Sequence, residues 1–215
     1  MVRLLDPVYE TAWFGGEVPS YETYQQRAAL LGSILTGWGV AKSNGKILVV
    51  GCAYGHLLTA IREQGWLDVW GIDGQYAKTR ADAVTQIQQV RDRIGVADAT
   101  SEPAVASFKQ GVAGIGRNAR FAACVTEDVL STLSGAIEVS AMLSALRTHV
   151  VLDRMVHLIS MYDPTQPWNA PLNGNELNTG YYQGEAAWVS QINTGGRSDR
   201  VFNLRRPLQP DAAVV

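Results

Sequence analysis

The sequence predicts a doubly wound α/β protein, a mostly parallel sheet with helices on both faces. Three observations predict it. The run Lys46-Ile47-Leu48-Val49-Val50 is apolar without alternation, as in a strand buried on both sides. A glycine-bounded turn, Gly51 to Gly55, carries the chain straight from that run into an amphipathic segment. A second β-rich run, Leu67 to Ile72, then follows at the spacing of a βαβ unit. Apolar runs and helix-like segments continue to alternate as far as residue 159.

Each element has a local reason. Residues 1–20, with Trp13, Phe14, Gly15-Gly16 and Pro19, read as an irregular arm. Ser20 then opens an Ala/Leu/Gln-rich helix that closes near Gly37. After the strand at 46–50, His56 to Gln64 has Leu57, Leu58 and Ile61 on one face and Gly65 as its stop. The run 67–72 ends at Asp73. Residues 76–93 read as a polar helix, 94–97 as a short third strand ending in Asp98-Ala99-Thr100, and Glu102 to Val112 as a helix. Phe121 to Val125 is a fourth buried run leading to Glu127-Asp128, with a helix expected from Ser134 to Leu146. Val150 to Ile159 supplies a fifth strand, interrupted by Asp153 and Arg154. Residues 162–182 form a long Pro/Asn/Gly/aromatic loop, followed by a short helix at 184–193 and a strand near Arg200 to Leu204. The expectation is one domain over 1–206 with an N-terminal helical arm at 1–40, and a loose tail at 207–215.

Composition bounds the function. With 215 residues, 47% hydrophobic and 18% charged, the chain can bury one substantial core, and bulk disorder is excluded. A net charge of -2 supplies no global field for a polyanion, so nucleic acid is disfavoured as a partner. No stretch approaches the roughly 18 apolar residues of a membrane helix. The opening Met-Val-Arg-Leu-Leu-Asp-Pro meets an acid and a proline before a signal-peptide core forms, so a cytoplasmic location is expected. Cys52 and Cys124 lie in apolar runs and read as small core residues. No His/Cys/acid spacing points to a metal.

In a doubly wound sheet, ligands bind beyond the carboxyl ends of the strands, so the residues that follow each strand are the candidates. The turn Gly51-Cys52-Ala53-Tyr54-Gly55 permits close approach of a ligand to the backbone and to a helix N-terminus. A dinucleotide fingerprint, G-x-G-x-x-G, would need glycines where Ala53 and His56 stand, which argues against a pyrophosphate cofactor and hence a nucleotide-dependent oxidoreductase. Asp73 lies 22 residues beyond Gly51, close to the spacing of about 20 at which an acid takes ribose hydroxyls. Turn and acid together suit a ribonucleoside without a diphosphate.

In ILVVGCAYGHLLTAI (47–61), VWGIDG (69–74), VADAT (96–100) and CVTEDVLSTL (124–133), the sequence resembles the class I S-adenosylmethionine (SAM)-dependent methyltransferases over roughly residues 45–160. The resemblance implies their Rossmann-like fold and SAM as cofactor. It places Gly51, Cys52, Ala53 and Gly55 under the methionine portion, Asp73 on both ribose hydroxyls, and Asp98 and the Ala99 amide on adenine. Glu127 would line the methionine and substrate side. The function it implies is methyl transfer to an oxygen or nitrogen of a small or medium-sized acceptor, a sugar or metabolite. Thr126-Glu127-Asp128-Val129 stands where base methyltransferases carry a D/N/S-P-P-aromatic motif, so base methylation is disfavoured. The alternative is a catalytically silent SAM-binding or protein-interaction domain.

Glu127, Asp128 and His157 are the candidate general bases, with a hydrogen-bonded core histidine as the competing reading of His157. His56 reads as exposed at the start of its helix. Trp13, Tyr21, Tyr24 and Arg27 are candidates for a lid over the cofactor, with Arg27 on its carboxylate, or else for a helix packed on the sheet. Trp168, Tyr181 and Tyr182, in the loop after the fifth strand, are the candidate acceptor-binding residues, while Trp188 reads as core.

Overall fold

The computed structural model describes residues 20–74, 89–116, 118–151, 154–159, 185–193 and 199–204. Among these described residues six strands form one sheet in the order β3-β2-β1-β4-β5-β6, and each of their pairings is parallel. In chain order the elements are α1 (Tyr21–Gly37), β1 (Ile47–Val50), α2 (His56–Glu63), β2 (Val69–Asp73), β3 (Ile94–Val96), α3 (Glu102–Gly111), β4 (Ala123–Glu127), α4 (Ala136–His149), β5 (Met155–Ile159), α5 (Glu185–Ile192) and β6 (Arg200–Asn203).

Two cores sandwich the sheet, because successive strand residues point to opposite faces. Val49, Val125 and Leu158 pack with Leu31 and Leu35 of α1 and Leu57 and Ile61 of α2. Leu48, Val50, Cys124 and Met155 pack on the other face with Phe108 of α3, Leu146 of α4 and Trp188 of α5. Cys52 and Cys124 are buried thiols, and Trp188 is a core residue.

Strand order reverses at β1, which pairs with β2 on one side and β4 on the other. Register decides what emerges there. Val50 lies level with Ile72 and with Thr126, so Gly51, Asp73 and Glu127 leave the sheet side by side. Asp73 is level with Val96, which brings Asp98 to the same edge two residues later.

Several boundaries differ from the sequence reading. The fourth strand is Ala123–Glu127 rather than 121–125, because Phe121 turns away to stack on Phe108 with ring centroids 6.3 Å apart. The fifth begins at Met155 rather than Val150. Helix α4 runs on to His149, and the Val150 and Val151 amides still donate to Leu146 O, at 2.8 and 3.0 Å. Residues 91–93 form a 3₁₀ turn rather than the end of a helix, while 75–88 lie outside the described residues. So do the arm at 1–19, the loop at 162–182 and the tail.

One glycine in the sheet shows how tightly the turn after β1 is packed against β2. A Cβ on Gly71 would lie 2.6 Å from Cys52 Sγ and 3.0 Å from Leu58 Cδ2. Gly71→Ala should therefore destabilise the fold by about 1–3 kcal/mol, read as a lower urea midpoint at unchanged m-value.

Candidate functional site

The turn after β1 is held in a conformation that its residues do not favour alone. Gly51 has φ +75°, and a Cβ there would sit 2.9 Å from the Glu127 carbonyl oxygen and 3.0 Å from Val129 Cβ, so only glycine lets the exits of β1 and β4 lie in contact. Ala53 is left-handed at φ +44°, and Gly55, at φ +86°, caps α2. A left-handed alanine costs about 1–2 kcal/mol. The Asp73 carboxylate offsets this: Oδ2 accepts from the Ala53 amide at 2.7 Å and Oδ1 from the Gly74 amide at 2.7 Å. Each oxygen keeps one further acceptor position, enough for two hydroxyls. Burial pushes the Asp73 carboxyl up, and the two amides pull it back.

Asp98 follows β3. Its Oδ1 accepts from the Thr100 amide at 2.9 Å and the Thr100 hydroxyl at 2.8 Å, an Asx turn that leaves Oδ2 without a partner among the described residues. The Ala97 amide donates to Asp73 O at 3.1 Å and so ties this loop to the end of β2. Ala99 is buried beside it.

Glu127 ends β4 on the face that α1 covers. Its Oε1 accepts from Arg27 at 2.7 Å, and the two side chains are only 7% and 13% exposed. Burial is the main force pushing the Glu127 carboxyl up to about 7; Asp128 and Asp73 add to it, and Arg27 opposes it. Arg27 lies 5.4 Å from the centroid of the Tyr24 ring, which stacks on His56 at 5.3 Å; the edge of Tyr54 meets the same imidazole at 6.2 Å. His56 is thus half-buried in an aromatic cluster rather than exposed, and burial lowers its pKa. Asp128 is left-handed at φ +51°, with its amide on Leu158 O at 2.7 Å and its Oδ1 accepting from Ser131 Oγ at 2.7 Å.

The structure therefore brings Gly51, Cys52, Ala53, Gly55, Asp73, Asp98, Ala99, Glu127 and Asp128 to one edge. It does not bring His157 there. His157 is fully buried in the middle of β5, level with Thr126 and on the face opposite Glu127. Its Nε2 faces Asp199 Oδ2 at 3.3 Å and its Nδ1 faces Thr126 Oγ1 at 2.8 Å. A carboxylate only accepts, so Nε2 carries the proton and Nδ1 accepts from the threonine. This arrangement corrects the expectation of a substrate-facing base, because both nitrogens are engaged inside the core. Trp13, Trp168, Tyr181 and Tyr182 lie outside the described residues.

Two pairings escaped sequence reasoning. Arg27 and Glu127 are 100 positions apart, and Asp199, 42 beyond His157, also takes Arg147 at 2.6 Å. The apolar setting of His157 was the one available signal, and it favoured the core reading.

No protein-family model and no curated protein matches the sequence. Solved structures do match. A SAM-dependent methyltransferase from Clostridium acetobutylicum ATCC 824 aligns at 13% identity and TM-score 0.50, covering 72% of this chain and 56% of that one. A candidate O-methyltransferase from Nostoc punctiforme PCC 73102 aligns at 15% and 0.56, covering 81% and 50%. Mitomycin 7-O-methyltransferase aligns at 12% and 0.52, covering 78% and 46%. The chain spans about half the length of these structures. The fold is that of the class I methyltransferases.

The Glu127 environment sets a pH dependence of stability. A carboxyl whose folded pKa is raised contributes stability that is full below its unfolded value and is lost as pH rises through the folded one. Relative to Glu127→Gln, the wild-type protein should gain stability as pH falls from about 7 toward about 4.5. Urea unfolding at several pH values measures the difference, and a pH-independent offset would contradict it.

Proposed function

We propose that the protein is a SAM-dependent methyltransferase acting on an oxygen or nitrogen of a small or medium-sized acceptor. The observation that carries this reading is the charge of the site. Asp73, Asp98, Glu127 and Asp128 share one edge, and the cation acting on Glu127, Arg27, is already bound to it. A pyrophosphate is repelled by such an edge, whereas a ligand carrying a sulfonium and an ammonium is attracted. The turn agrees, since the Ala53 amide that could face a phosphate is committed to Asp73.

The residues present fit the group. Asp73 has two acceptor positions that would take the ribose hydroxyls, Asp98 Oδ2 and the Ala99 amide would hold adenine, and the turn 51–55 would lie beneath the methionine portion. Arg27 would be the complement of the cofactor's carboxylate, and Glu127 would line the methionine and substrate side. When bound, SAM supplies a methyl group already activated by its sulfonium, so the chain's own task is in-line positioning and removal of an acceptor proton. Glu127 is buried and titrates near neutrality, which suits it to that proton; Asp128 is the second candidate. Trp168, Tyr181 and Tyr182, from the segment 162–182 that comes after β5 in the sequence, would shape the acceptor pocket.

Calorimetric titration tests the cofactor. SAM should bind and NAD should not. Asp73→Asn should weaken SAM binding by about 1.5–3 kcal/mol, the worth of hydrogen bonds to a charged group. Unchanged affinity in a folded variant removes Asp73 from the ribose role. Loss of methylated product with retained SAM affinity is expected for Trp168→Ala, Tyr181→Ala and Tyr182→Ala. Binding without turnover on any acceptor would make the chain a SAM-binding module.

A further inference from the structure

We infer that the amino edge of the sheet, opposite the edge assigned to SAM, carries a binding site for a phosphate group, free or borne by a small monoester. The site is built where the chain enters three strands. Lys46 precedes β1, Asp68 precedes β2, Arg93 precedes β3, and Arg62 stands in the last turn of α2. Asp68 organises them: Oδ2 accepts from Lys46 Nζ at 2.9 Å, while Oδ1 accepts from Trp70 Nε1 at 2.5 Å and faces Arg93 Nη1 at 3.7 Å. The Trp70 ring is a shared floor, with the Arg93 guanidinium 4.7 Å and the Lys46 ammonium 5.8 Å from its centroid. Arg62 donates to the Leu67 carbonyl and pairs with no carboxylate among the described residues.

One carboxylate thus faces three cations. Nearby in the chain, Lys42 and Arg91 are matched in sign by Glu63 and Asp92, so two positive charges stay in excess. Burial and then Arg93 lower the pKa of Arg62, and Asp68 opposes them. Arg62 Nε and Arg93 Nη1 are shut off from water without a hydrogen-bond partner, since 3.7 Å is too long for one. Closing α2 and stacking on Trp70 use these cations without balancing their charge. The donors select the ligand. The Lys46, Asp68 and Arg93 side chains are 28%, 22% and 29% exposed, so an ion can reach the cluster and meets it partly stripped of water. A phosphate dianion matches the excess, and its tetrahedral oxygens can accept from guanidinium and ammonium groups that converge from different elements. A carboxylate brings half that charge on a planar group. A nucleic-acid backbone needs a track of such cations, and the overall charge of -2 gives it no supporting field.

Titration of inorganic phosphate with the whole chain, followed by phosphorus NMR at fixed ionic strength, tests this. Binding should saturate, which the general stabilising effect of phosphate on folded proteins does not. Phenyl phosphate should bind within a few fold of inorganic phosphate, and acetate should compete about tenfold less well or worse. Arg62→Gln and Arg93→Gln should each weaken phosphate binding about tenfold, the loss of one charge-assisted contact. Arg62→Lys, which keeps the charge, should lose less than Arg62→Gln. The wild-type ion series and the Arg62 pair stand alone if Arg93→Gln does not fold. Absence of saturable binding, equal competition by acetate, or unchanged affinity in the glutamine variants would overturn the site. Binding of a single-stranded oligonucleotide without binding of either phosphate would overturn it in favour of a nucleic-acid face.

Discussion

The bond on which the site depends is the one from the Ala53 amide to Asp73 Oδ2. It joins the exits of β1 and β2 and holds a left-handed alanine that the backbone alone would not choose. A second amide, from Gly74, completes the inner half of the carboxylate and leaves the outer half for a ligand. The acid proposed to recognise ribose is therefore also what shapes the turn beneath it, so the cradle exists before anything binds and little ordering is left for the binding step.

Charge is sorted along the strand direction. At the carboxyl edge stand the acids of the site, near the N-terminus of α2. Away from it, the long cations are used on carbonyl groups: Lys42 on Gln64 O beyond α2, Lys109 on Ala119 O and His149 O, Arg120 on Thr148 O and Arg147 on Ile192 O. Cations at helix C-termini oppose the macrodipole there, each contributing about 0.3–1 kcal/mol when exposed. Among the described residues these four cations are thus engaged away from the acidic edge, while Arg27 pairs with Glu127 on it.

How much of this could be read from sequence follows from the distance over which each feature is decided. Unbroken apolar runs marked β1 and β2, since burial on both faces leaves no other composition, and the spacing from Gly51 marked Asp73 because a βαβ unit has a nearly fixed length. The start of β5 was misplaced because Val150 and Val151, apolar like a strand, instead close α4. His157 was ambiguous for a deeper reason: its partner Asp199 enters from beyond β5, and no periodicity connects them. Arg27 was legible as a cation near the site, but its partner was not, because Glu127 becomes its neighbour only after α1 folds across the sheet.

Thr126 and Glu127 are consecutive residues that face opposite sides of β4, one bonded to His157 inside a closed core, the other paired with Arg27 at the binding edge. Parallel strands made of similar apolar residues are easily mispaired, and a slip of one position would turn Glu127 into the interior beside His157 and push Thr126 toward Arg27. A carboxylate placed there would lose its guanidinium and a histidine its hydroxyl, so the incorrect alignment is penalised on both faces at once. The native register of the central strands is thus the one that gives both side chains of this adjacent pair their partners.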